Sequence, residues 1–335
     1  MNKRASGNGR EVDRSRRRLL AAFGATALVG HAAAQTSTQL YPAKPVRIIV
    51  PWPPGSATDI AARLLAQKLS EAMGQTFIVD NRPGATGMIG AELVAKAAPD
   101  GYTLLLNTAS QASNKVVFPK LTFDPMTDFV PVSMVYRGVL SLSVHPSLPV
   151  RTAAEFARYA KAHPKSLSFG TPGVATPHHL GGELLKQRAG IDMLHVPYKG
   201  GGPSVVDLVS GQIPVCVASL AAVMPFIKSG RVRVLAVMDP SRYEELPAVP
   251  ALAETYPGFD VSGWAAMYAP AAAPRAVVER LNAEVTRILN TAEVRRMMSS
   301  NGFVASPSSP EALAKQMRDD IERWGAIVKS GVRFD

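Results

Sequence analysis

Cysteine is nearly missing from this chain: Cys216 is the only one in 335 residues. No intramolecular disulfide can form. Its place in the apolar run Val215-Cys216-Val217-Ala218 reads as a small buried hydrophobe, since a reactive thiol needs access and a depressed pKa. Histidine is also sparse, six in all, and only His178 and His179 adjoin. Neighbouring helical residues point about 100° apart, and no carboxylate or third histidine stands at ligand spacing, so no metal site is expected. Neither a G-x-S-x-G elbow nor an S-x-x-K motif occurs. No catalytic residue and no cofactor is expected from these patterns. Past the first 34 residues no apolar run approaches the ~18 residues that a membrane-spanning helix needs. Acidic residues are outnumbered 26 to 37, for a formal charge of +11.

Much of that excess charge sits at the N-terminus. Ser15-Arg16-Arg17-Arg18-Leu19-Leu20 has the form of a twin-arginine export motif, an apolar run follows to Gly30, and Ala32-Ala33-Ala34 supplies an A-x-A cleavage site. The reading is a signal peptide over residues 1–34, cut after Ala34, with a periplasmic product. The segment holds seven basic and two acidic residues, so its removal lowers the charge from +11 to +6. A mildly basic exported protein is not expected to bind nucleic acid.

The remaining 301 of the 335 residues exceed one comfortable core and point to two domains. Short apolar runs alternate with helical patterns. Strands are expected at Val46–Pro51, Thr76–Asn81, Thr103–Thr108, Leu167–Thr171, Met193–Tyr198, Val215–Ser219 and Val232–Val237. Helices are expected at Ala57–Met73, Gly87–Ala98, Thr152–His163 and Pro177–Ala189, with Thr152-Ala153-Ala154-Glu155 fitting a capping box. Such alternation predicts an α/β fold of mostly parallel sheets with helical crossovers. Phe129–Val144 and Asp260–Pro270 break the pattern, and both read as crossings between domains. The first lobe is therefore discontinuous, 35–137 plus 264–335, and the second is 138–263. Two long helices are expected after the second crossing. One runs over Pro274–Ser299. The other is capped by Ser309 and carries an apolar face of Leu313, Met317, Ile321, Trp324 and Val328.

Two loops repeat one design: an apolar strand, a Pro/Gly-rich turn, then a helix start. They are Val46–Asp59 and Met193–Ser204. A helix N-terminus carries roughly half a positive charge and bare N–H groups, and so holds an anion without Lys or Arg. In the first loop the N–H groups of Gly55, Ser56 and Ala57 are expected to point outward. Trp52 would form a flat wall and Asp59 would brace the loop. Gly84, Gly87 and Gly90 follow the second strand in a G-x-x-G-x-x-G spacing that lacks the leading G-x-G of a dinucleotide site. Gly170–His179 forms another strand-to-helix turn.

The segments PWPPGSATDIAARLL, NRPGATGMIGAELVAKAAPDGYTLL and HVPYKGGGPSVVDLVSGQIPV together resemble the Bug family. These are extracytoplasmic solute receptors of tripartite tricarboxylate transporters. The resemblance runs from Tyr41 to Asp335. It implies a two-lobed periplasmic binding protein fold that closes on a small organic carboxylate, held by backbone amides rather than by a salt bridge. It implies first-lobe contacts from Trp52, Pro54, Gly55, Ser56 and Ala57, with Thr108, Ala109 and Ser110. From the second lobe it implies Ala175 and Thr176, then Tyr198, Lys199, Gly200, Gly201 and Gly202. Ser56 and Thr86 depart from the glycines that many relatives have there, so no single relative's substrate transfers directly. The implied partner is a membrane permease of the tripartite type, with the receptor itself a monomer. A sensor that presents its closed form to a histidine kinase is the alternative, and a periplasmic enzyme is the third reading.

Overall fold

The computed structural model describes residues 41–329. The export motif and its cleavage site lie outside the described residues. In chain order, β1 (Val46–Val50), α1 (Ala57–Met73), β2 (Phe77–Asn81), α2 (Met88–Ala95), β3 (Thr103–Thr108), α3 (Ser110–Val117) and β4 (Phe129–Gly138) come first. Next are β5 (Leu140–Val144), α4 (Ala153–Ala162), β6 (Ser168–Thr171), α5 (Pro177–Ala189), β7 (Leu194–Pro197), α6 (Gly201–Ser210), β8 (Val215–Ser219), α7 (Leu220–Ile227), β9 (Arg233–Val237) and the short α8 (Leu252–Thr255). The chain ends through β10 (Gly263–Pro270), α9 (Arg275–Leu289), α10 (Ala292–Ser299), β11 (Phe303–Ala305) and α11 (Pro310–Lys329).

The strands form two sheets, ordered β11-β4-β10-β3-β1-β2 and β7-β6-β8-β5-β9. Both sheets are mixed. β1 runs parallel to β2 and β3, and β6 runs parallel to β7 and β8, as helical crossovers require. The antiparallel pairs come from the strands of the crossing segments and from β11. β10 lies against β3 and β4, β11 against β4, and β5 against β8 and β9. Central strands are apolar because helices cover both faces: Ile48, Ile49, Val50 and Leu104–Leu106 are fully buried. Strand β7 is an edge strand, and its Leu194 is 70% exposed.

Local signals set most helix ends. Ser56 caps α1 by accepting from the Asp59 N–H at 3.3 Å, and Gly74, at φ 69°, ends that helix. Thr152 caps α4 through the Glu155 N–H at 3.1 Å. The Glu155 carboxylate accepts from the Arg151 N–H instead of the Thr152 N–H, so the expected box closes one residue early. The helix expected over Pro274–Ser299 is two helices. Thr291 is extended and caps α10 by accepting from the Val294 N–H, because Asn290-Thr291 favours a cap over helix interior. On α11, Leu313, Met317 and Trp324 are buried, and Ile321 and Val328 are half-buried. The helix packs on α3 and β4. Its buried Asp320 accepts from Trp264 Nε1 at 2.6 Å, tying it to β10.

The two lobes meet along the crossing strands. Val139 alone separates β4 of the first sheet from β5 of the second. On the return, the Val261 N–H bonds the Met238 carbonyl of the second lobe, and Gly263 then pairs with Gly138 in the first sheet. A Cβ on Gly263 would sit 3.3 Å from the Gly138 carbonyl oxygen, so the two crossings run backbone to backbone.

Candidate ligand-binding cleft

The first loop is held by side chains. Asp59 is 2% exposed and accepts from the Gly55 N–H at 2.9 Å, from Asn81 Nδ2 at 2.9 Å and from Arg63 Nε at 3.0 Å. Burial alone would raise its pKa, but the bonds from Arg63, Gly55 and Asn81 outweigh burial and hold the carboxyl below its ordinary value. Asn81 also donates to the Trp52 carbonyl, and Trp52 Nε1 donates to Asn107 Oδ1 at 3.2 Å. The Ser56 N–H turns back to the Pro53 carbonyl. This corrects the expectation that the Gly55 and Ser56 N–H groups point outward, since the loop itself consumes both. The donors left without an acceptor among the described residues are the N–H groups of Ala57 and Thr58, in the first turn of α1.

The second lobe builds its loops from backbone. Gly200 sits at φ 113° and donates to the Pro172 carbonyl, and the Tyr198 N–H bonds the Thr171 carbonyl. A Cβ at Gly200 would lie 3.0 Å from Pro53 of the first lobe, so only glycine permits both the conformation and the approach. Gly201 and Gly202 then open α6 with free N–H groups among the described residues. Thr176 caps α5 by accepting from the His179 N–H and donates to the Gly173 carbonyl. The Ala175 N–H is taken by His179 Nδ1 at 3.3 Å.

Between the lobes lies a cavity of about 70 Å³, several times what one water requires. Of the residues singled out by sequence, Trp52, Gly55, Ser56, Ala57, Thr108, Thr176, Gly201 and Gly202 line it. Tyr198, Lys199 and Gly200 do not; they border a neighbouring hollow of about 540 Å³ with Pro53 and Gly84–Gly87. The Tyr198 hydroxyl is engaged by Asp207 at 2.6 Å. Pro54 is exposed on the loop. Ala109 and Ser110 stand behind the wall, where the Ala109 N–H bonds the Trp264 carbonyl and Ser110 bonds Thr108 Oγ1. Ala175 is fully buried and faces the other lobe.

Sequence reasoning missed Thr58, Tyr136, Gly138, Leu140, Pro172, His178, Ser219, Ala222, Gly263 and Trp264, which complete the lining. Half of these belong to the crossing strands, whose sequence marks them as connections and not as walls. Among the described residues, no Lys, Arg, Asp or Glu lines the cavity. First-turn or capping residues of four helices do: Ala57 of α1, Thr176 and His178 of α5, Gly201 and Gly202 of α6, and Ser219 of α7. Their converging dipoles make an uncharged cavity favourable to negative charge.

Two hydrogen bonds link the lobes beside the cavity. Thr86 Oγ1 donates to the Val174 carbonyl at 3.1 Å, and Ser113 Oγ donates to the Ala175 carbonyl. Cys216 is buried, and burial pushes its thiol up to about 12, consistent with a core residue. The adjacent histidines have separate partners. His178 Nε2 meets Ser219 Oγ at 3.0 Å, while His179 stacks on His195 at 3.6 Å between centroids.

Two α/β lobes joined by crossing strands, with helix N-termini converging on the cleft, define a periplasmic solute-binding receptor fold. The family described as "Tripartite tricarboxylate transporter family receptor" matches residues 61–331, and this chain belongs to it. Protein BugT of Bordetella pertussis is 36% identical over 315 residues, 93% of this chain and 97% of that protein. Rpa4515 of R. palustris, solved with adipate, has a TM-score of 0.84 at 35% identity, over 86% of this chain and 97% of its own. MatC of Rhodopseudomonas palustris, solved with bound malate, has a TM-score of 0.80 at 30% identity, over 86% of this chain and all of its own. The family and the fold are those of solute receptors, not of enzymes.

Proposed function

We propose that this protein captures a small organic carboxylate between its lobes in the periplasm and delivers it to a membrane permease of the tripartite type. The observation that carries the reading is a cavity lined, among the described residues, by no charged side chain and bordered by four helix N-termini. Related receptors solved with adipate and with malate support a carboxylate as the ligand class. In this reading the Ala57, Thr58, Gly201 and Gly202 amides grip the carboxylate directly, and Trp52, Ser56, Thr108 and Thr176 shape its surroundings. The hinge lies at Gly138–Val139 and Ser262–Gly263, so that 138–263 moves as one lobe. The chain acts as a monomer after twin-arginine export.

The test is a thermal-shift screen of refolded protein over mono-, di- and tricarboxylates and aromatic acids. A ligand at one hundred times its Kd adds about 2.7 kcal/mol of apparent stability, a rise of several degrees. No shift with any acid, or binding abolished by a chelator, overturns the reading. Copurification with permease subunits tests delivery, and export of an Arg16→Lys, Arg17→Lys variant tests the route.

A further inference from the structure

Among the described residues, His178 is the one imidazole that borders the central cavity. It is the second residue of α5, and its Nε2 lies 3.0 Å from Ser219 Oγ. Ser219 is itself fixed, since it ends β8 opposite Leu140 and does not spend its hydroxyl as a cap on α7. The other ring nitrogen, Nδ1, is buried and has no hydrogen-bond partner among the described residues. Buried nitrogens are normally paired, so an unpaired one on a residue that lines the cavity points to a partner that arrives with the ligand.

We propose that His178 and Ser219 form a second polar subsite that reads an uncharged hydrogen-bonding group on the carboxylate ligand: a hydroxyl, a keto oxygen or a protonated carboxyl. The inference rests on the carboxylate reading and deepens it, because it assigns the ligand one negative charge. A neutral imidazole offers one N–H and one lone pair. When Nε2 accepts the Ser219 hydrogen, Nδ1 donates to a ligand oxygen. In the other tautomer Nδ1 accepts from a ligand hydroxyl, and Ser219 accepts from Nε2. Both arrangements pair both ring nitrogens and introduce no charge.

The surroundings keep the subsite neutral. Leu140, Gly138 and Ala222 line the same cavity, as do Trp52 and Trp264. Tyr136 is the other titratable side chain on its wall. Its hydroxyl lies 3.2 Å from Thr58 Oγ1, and burial pushes it up to about 12. His179, next on α5, is turned to Ala175 and His195, and burial holds it down at about 3. Burial likewise pushes His178 down to about 3. The starts of α5 and α7 offer a second carboxylate only partial positive charge, with no cationic side chain among the described residues, so a dicarboxylate is expected to bind with uptake of one proton.

Calorimetry on refolded protein at pH 7 tests this with two matched series: butyrate, 4-hydroxybutyrate and succinate, then hexanoate, 6-hydroxyhexanoate and adipate. In the series that fits, the hydroxy acid binds at least ~10-fold tighter than the alkanoate, and any dicarboxylate binding takes up one proton, read from buffers of different ionisation enthalpy. His178→Leu removes the hydroxy acid's advantage and leaves the alkanoate within ~3-fold. His178→Gln, which keeps a neutral donor and acceptor, retains most of the preference. A dicarboxylate that binds tightest without proton uptake overturns the subsite and leaves the carboxylate reading standing. So does an equal loss for all three acids in His178→Leu of unchanged circular dichroism. Silence from all six acids, together with a silent thermal-shift screen, removes both readings.

Discussion

The two Pro/Gly-rich loops of the cleft reach one result by opposite means. Each leaves two N–H groups free at a helix start, yet the first-lobe loop is braced by side chains and the second-lobe loop by backbone. Asp59, Asn81 and Arg63 hold the first, with Asp59 buried and ionised at the centre. The second turns on backbone: Gly200 supplies a positive-φ turn and a bond to Pro172, and packs directly on Pro53, while side chains brace only its flanks, through Tyr198 to Asp207 and Ser204 to the Gly201 carbonyl. A charge-braced loop tolerates changes in shape but depends on pH. The turn at Gly200 itself carries no titratable group, and it has no room for a Cβ at that one position.

The comparison breaks most sharply at Gly200. Gly200→Val meets both a disfavoured φ and Pro53, and is expected to weaken carboxylate binding by more than ~100-fold, about 2.7 kcal/mol. Gly202→Ala has open space for its Cβ, and Gly201→Ala would meet only Pro172 at 3.7 Å. Both should bind within ~3-fold of wild type by calorimetry. Equal losses at all three glycines would remove the distinction that Gly200 makes.

Stability against pH separates the lobes next. The second lobe holds His178, His179 and His195 neutral, with burial pushing them down to about 3, 3 and 4. The unfolded chain protonates them first, near pH 6.5. Their contribution is therefore present above that pH and lost as pH falls towards about 4, by up to about 1.4 kcal/mol per pH unit for each. His195→Gln should flatten the urea-midpoint profile in that window. Asp59 has the opposite charge and a lower window. Its folded pKa is depressed, so its contribution is present above the ordinary carboxylate value near 4 and lost as pH falls through the depressed one. Asp59→Asn should cost about 1–3 kcal/mol at pH 7, chiefly through the bonds to Arg63 and Gly55. It should also reduce the acid loss below pH 4 while leaving the slope above it unchanged.

Smaller effects are expected where the lobes only touch. Ser113→Ala with Thr86→Ala removes the two hydrogen bonds described beside the cavity and should raise the dissociation rate ~3–10-fold in stopped flow, with little change in the association rate. Lys199→Ala, outside the central cavity, should change Kd by less than ~3-fold. A large loss there would mean that the anion is held by a salt bridge.

Features that depend on a few neighbouring residues were legible in the sequence. The apolar runs of β1, β3 and β8, the caps at Thr152 and Ser309, the Asp59 brace and the two glycine-bearing helix starts follow from burial pattern, side-chain reach and the conformational freedom of glycine. The tertiary structure alone decided which amides stay free, because whether Gly55 N–H faces a ligand depends on a carboxylate oriented by Asn81 and Arg63. It also decided that Tyr198 and Lys199 border a separate hollow, and that the crossing strands form the cavity wall. His178 shows the division most plainly. Its helix was readable from Thr176 and Pro177, but the direction of its ring, towards Ser219 and the cleft and away from His179, arises where β8 meets β5, about 40 residues away along the chain. Local physics specifies elements and their ends, whereas a cleft between two lobes is a sum of long-range contacts that no short stretch of sequence encodes.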